Sequence, residues 1–147
     1  MKKYTIFLIC GLVATVLFLT FATPLYEGIF YDREFSNEMY NGNLYIIVAM
    51  IASLVSWGVA GLFYYAINSV SFSRWYHWLC MLVAVVVLTF GITYFYCNSC
   101  FPSEYDFDSQ LFRFCLKTSW VEVVLFIIAS FSMRWWSSNC RHTPLPE

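Results

Sequence analysis

The sequence predicts an all-α membrane protein: an antiparallel bundle of four transmembrane helices with both termini in the cytoplasm. Three observations carry that expectation. Leu44 to Ile67 contains no Asp, Glu, Lys or Arg, and a helix needs roughly 20 apolar residues to cross the hydrocarbon core of a bilayer. The chain as a whole is 61% hydrophobic and 12% charged, against about 25% charged in soluble domains. The basic residues near the apolar runs are also unevenly placed, as membrane insertion requires.

The first apolar run is Tyr4–Thr23, behind the basic start Met1-Lys2-Lys3. Its length favours an uncleaved span over a signal peptide, whose apolar core is shorter. Pro24 is expected to end it, because the residue before a proline is pushed out of the helical region. Residues 24–43 form an outer loop that interleaves Glu27, Asp32, Glu34 and Glu38 with Tyr26, Phe30, Tyr31, Phe35 and Tyr40. Such aromatics fit an interfacial cap over helix ends; a docking surface for another protein is the sharper reading. Asn41-Gly42-Asn43 signals a turn into the next span.

The second span, 44–67, doubles as a packing centre. Ala49, Ala52, Ser53, Ser56 and Ala60 recur at spacings of three and four, so they share one helix face and admit another backbone closely. A cytoplasmic loop at 68–77 follows, where Arg74 lies among Trp75, Tyr76 and Trp78 as a boundary anchor. The third span is 78–96. An outer loop at 97–115 holds Cys97, Cys100, Cys115 and the acidic residues Glu104, Asp106 and Asp108. The fourth span is 116–134, or starts nearer Leu111, and Arg134-Trp135-Trp136 marks its end. The tail, 137–147, is expected to be loose. Lys2, Lys3, Arg74, Arg134 and Arg141 then lie on one side, the cytoplasmic one, with a bacterial inner membrane as the natural setting.

Chemistry is sparse. A net charge of -1 argues against nucleic acid as the main partner, because phosphate binding needs a concentrated basic surface. His77 and His142 stand without neighbouring ligands, so no metal site is expected. There is no phosphate-binding glycine loop and no nucleophile elbow. Cys97, Cys100 and Cys115 are disulfide candidates on the oxidising side of the membrane. Cys97-Asn-Ser-Cys100 has the spacing of a redox pair.

Glu122 is the one acidic residue inside a predicted span, where a charge costs roughly 2.5–3.5 kcal/mol on insertion scales. It is placed in the outer part of the fourth span, within reach of the headgroups. Thr89, Thr93, Ser119 and Ser130 read as scattered rather than aligned with it.

The four spans and outer cysteines resemble the layout of DsbB-like and vitamin-K-epoxide-reductase-like quinone-linked thiol oxidoreductases. That resemblance implies a quinone cofactor, with Cys97 and Cys100 facing it and Cys115 as the shuttle. DsbB-like proteins carry a cysteine pair in each outer loop, whereas the first loop here has none. The expectation placed first is therefore a non-enzymatic accessory or scaffold subunit without a cofactor. It binds the lipid bilayer and a membrane-protein partner or a second copy of itself. The alternatives are the thiol oxidoreductase and a small transporter or ion-conducting oligomer centred on Glu122.

Overall fold

The structure, a computed structural model, describes residues 3–144. Met1 and Lys2 of the basic start and residues 145–147 of the tail lie outside the described residues. Every regular element among the described residues is helical. Three helical runs are long and apolar enough to cross a membrane: Leu44–Ile67, Trp75–Cys100 and Asp108–Trp136. A fourth arises if the bent pair Tyr4–Thr20 and Ala22–Ile29 counts as one.

Helices α1 (Lys3–Thr20) and α2 (Ala22–Ile29) meet at a 68° bend. Pro24 explains its position one turn upstream. A proline lacks the N–H for an i→i−4 bond, and its ring collides with that same carbonyl, here that of Thr20. The chain turns at Phe21, and Pro24 falls in the first turn of α2, where a missing N–H costs nothing. The helix thus bends and continues instead of ending at Pro24.

Residues 24–43 are mostly helical. Helix α3 (Arg33–Asn41) starts at Asp32, whose carboxylate accepts from Phe35 N–H at 3.3 Å. Ser36 Oγ accepts in return from Asp32 N–H at 3.2 Å. This reciprocal cap satisfies donors that a helix start leaves free. The α3 face then turns Phe35, Ser36 and Met39 inward. Asn43 takes a left-handed conformation, φ 51°, which asparagine tolerates better than most residues. From there the chain enters α4 (Leu44–Gly61), which runs on as a π-helical turn over Leu62–Ile67.

Helices α5 (Trp75–Cys100) and α6 (Asp108–Met133) form the remaining long pair, and a 3-10 turn, Arg134–Trp136, extends α6. α6 touches α1, α4 and α5. α1 comes close to α6 at Gly11, where a Cβ would overlap the Ser132 side chain. Tyr4 and Phe7 stack on Trp135, so the first turns of α1 and the end of α6 lie together. Phe35 meets Phe101 and Phe107, so α3 caps the opposite end, over the α5–α6 connection.

The core falls into two clusters. One, at the cap end, holds Tyr26, Phe35, Tyr45, Leu111 and Phe114. The other, toward the described termini, holds Phe63, Tyr64, Trp78, Val85 and Phe126. The tail is not loose as far as it is described. Ser137, Cys140 and Thr143 are buried, and Asn68 gathers the segment. Its side-chain oxygen accepts from Ser137 Oγ at 2.8 Å and Asn139 N–H at 3.0 Å. Its backbone carbonyl accepts from Asn139 Nδ2 at 2.7 Å, and Tyr64 donates to the Thr143 carbonyl at 3.1 Å. The expectation failed because polar side chains can bond a tail that has little apolar surface of its own.

Candidate functional site

Between the two core clusters lies a layer of hydroxyl groups around one carboxylate. On α6, Cys115, Thr118, Ser119 and Glu122 follow one another at helical spacings and line a common cavity. Thr89 and Thr93, one turn apart on α5, line it from the other side. Val48 and Phe90 complete the wall. Ser56, on α4, donates from Oγ to Glu122 Oε2 at 3.4 Å.

Burial separates this carboxylate from an ordinary interfacial one. Glu122 is 5% exposed and Ser56 fully buried. The cavity lining contains no Lys, Arg or His, so hydroxyls and not cations surround the acid. Thr118 and Ser119 spend their hydroxyl protons on the carbonyls of Phe114 and Cys115, each at 2.9 Å. Thr89 and Thr93 are each 3% exposed, and their hydroxyl oxygens have no hydrogen-bond partner. Buried polar atoms without partners are rare in folded proteins and call for an explanation.

The cavity volume is about 10 Å³, close to the roughly 10–15 Å³ that a single water needs. It is too small for an organic ring. A particle of water size or less fits it.

One sequence expectation is corrected here. The polar residues of α5 and α6 are not scattered, since Thr89, Thr93 and Ser119 all face the Glu122 cavity. Glu122 itself lies midway along the helical run Asp108–Trp136. The i, i+4 spacing of the two threonines was a usable signal. Which helix their face meets was not in the sequence. Ser130 does lie apart, accepting from Trp78 Nε1 at 3.0 Å in the other cluster.

The remaining candidates are placed as follows. Ala49, Ala52, Ser53, Ser56 and Ala60 are all buried on α4. Cys97 and Cys115 are buried in the cap-end cluster, whereas Cys100 is exposed. All three are free thiols, so the disulfide offered by their spacing is not formed. The helix α5 runs through Cys100, which fixes Cys97 inward and leaves Cys100 a turn further on at the surface.

The cap presents a second surface. Tyr31 and Tyr40 are each 66% exposed, and Tyr105 also faces outward. Glu34, Asn37, Glu38, Tyr105 and Phe107 line a groove of about 160 Å³. No protein-family model, curated protein or solved structure matches this chain.

Proposed function

We propose that this chain is a non-enzymatic integral membrane protein that docks a partner membrane protein through its cap. In this reading the four helical segments cross a bacterial inner membrane, the termini are cytoplasmic and the cap is external. The observation that carries it is the division of labour among the cap aromatics. Phe35 and Tyr26 are buried, with Phe35 packed against Phe30, Phe101 and Phe114, while Tyr31, Tyr40 and Tyr105 face outward and Tyr105 shares a groove with Glu34 and Glu38. Rigid, exposed tyrosines give contact area at low entropic cost, and the flanking carboxylates favour a partner segment rich in Arg or Lys. Cross-linking in membranes, followed by purification in mild detergent, tests it. A partner whose capture falls on Glu34→Lys with Glu38→Lys is expected; recovery of the monomer alone would count against docking.

A second reading, an ion-handling protein centred on Glu122, is favoured by the convergence of Thr89, Thr93 and Ser56 on its carboxylate. Flux in reconstituted vesicles that is unchanged by Glu122→Gln would remove it.

A further inference from the structure

A carboxylate held away from water needs its charge neutralised, because desolvation costs an ion several kcal/mol even after the protein relaxes. Around Glu122 no cationic side chain lines the cavity. Two ways of neutralising it remain: a proton on the acid, or a cation in the cavity beside it. The threonine hydroxyls bear on the choice. A protonated acid needs one acceptor and at most a donor or two. Ser56 donates at 3.4 Å, and one threonine hydroxyl is enough for the acceptor. That leaves an oxygen of the buried Thr89 and Thr93 pair facing the cavity without a partner, which favours the cation. Oxygen lone pairs gathered about one negative charge are ligands for a hard cation.

We propose that Glu122, Ser56, Thr89 and Thr93 form a binding site for a sodium ion, from which the ion displaces the carboxyl proton. Charge selects a monovalent ion, since one carboxylate and one sodium make a neutral pair, whereas a divalent ion would leave a net positive charge in a low-dielectric interior. Size selects a small one, because the cavity is about 10 Å³. The exchange balances: the acid loses its proton to solvent as the carboxylate and hydroxyl oxygens take the metal ion. The titratable groups nearest the site are Glu122 itself, Cys115 on the same helix and the buried phenol of Tyr26 on α2. The cavity residues from α4 and α5 are Val48, Thr89, Phe90 and Thr93, none of them titratable. The inference concerns what the site holds, not whether anything passes through it; binding with no vesicle flux would leave the site standing while removing the transport reading.

Thermal unfolding of the purified full chain in detergent tests this, with sodium, potassium or choline chloride at matched ionic strength. A ligand that binds only the folded state raises Tm with its concentration. The wild type is expected to gain Tm with sodium well beyond the gain with choline, and more at higher pH, where the proton competes less. Glu122→Gln, a near-isosteric neutral variant, is expected to fold and to lose the sodium dependence. Thr89→Val with Thr93→Val keeps the carboxylate and is expected to need about tenfold more sodium for the same shift, the equivalent of one lost hydrogen bond. Equal curves in sodium and choline at every pH would overturn the proposal, leaving Glu122 a protonated acid. A full sodium response in Glu122→Gln, or in the double valine variant, would overturn the assigned ligand set.

Discussion

Ser56 on α4 donates to Glu122 on α6 at 3.4 Å, a contact between residues 66 apart in the sequence. It ties the small-residue face of one long helix to the sole carboxylate in the middle of another. Removing the hydroxyl leaves the carboxyl with one donor fewer in a buried site. Ser56→Ala is expected to lower stability by about 1–3 kcal/mol. In Glu122→Gln the same change should cost less, so a double-mutant cycle by thermal unfolding reports the coupling.

The all-helical class and the long run at Leu44–Ile67 were legible because a run without charge has few other solutions in a chain this apolar. The centre of the site was not. Thr89, Thr93, Thr118 and Glu122 show helical spacing, but spacing fixes a face and not its neighbour. Reading Pro24 as a stop also hid α2. A proline can kink a helix as well as end one, and only packing of Tyr26 against Tyr45 and Phe114 decides for the kink. The start of α6 was misjudged for a simpler reason. Asp108, Arg113 and Lys117 suggested a polar loop, yet all three lie on α6.

Phe35 is the keystone of the cap. It is fully buried and meets Phe30, Phe101, Phe107 and Phe114. Phe35→Ala is expected to cost about 3–5 kcal/mol and to open the 24–43 segment to protease while the long helices persist. Helical content by circular dichroism, beside limited proteolysis, separates the two effects.

Gly11 leaves no room for a side chain against Ser132. Gly11→Ala is expected to destabilise the protein by about 1–3 kcal/mol through overpacking. Ser132→Gly in the same chain should recover part of the loss. Tm values of the two single variants and the double variant check this.

Asn68 holds the described tail, and Cys140 reports on it. The Cys140 thiol is buried, and that burial raises its pKa above the ordinary thiol value. The folded form therefore keeps a proton that the unfolded form releases first. Docking of the tail is strongest below the ordinary thiol pKa of about 8.5 and weakens as pH rises above it. Asn68→Ala is expected to speed alkylation of Cys140 severalfold at neutral pH, with exposed Cys100 as the internal control. An unchanged Cys140 rate would show that the apolar contacts alone hold the segment.

The same alkylation experiment bears on the thiol-oxidoreductase reading. Cys100 should react in the native protein, and Cys97 and Cys115 only after unfolding, since both are buried. Cys97 and Cys100 changing state together between reducing and oxidising growth would revive a redox role.

The position of α6 also bears on biogenesis. It is the least hydrophobic of the three long runs, with mean hydropathy 1.7 against 2.2 for each of the others, and the last to leave the ribosome. Its contacts with α1, α4 and α5 give this weakest candidate for insertion three earlier helices to assemble against. Ser56 and Thr89 are translated before Glu122, so a nascent chain truncated before Asp108 would leave those hydroxyls without the helix that supplies their carboxylate.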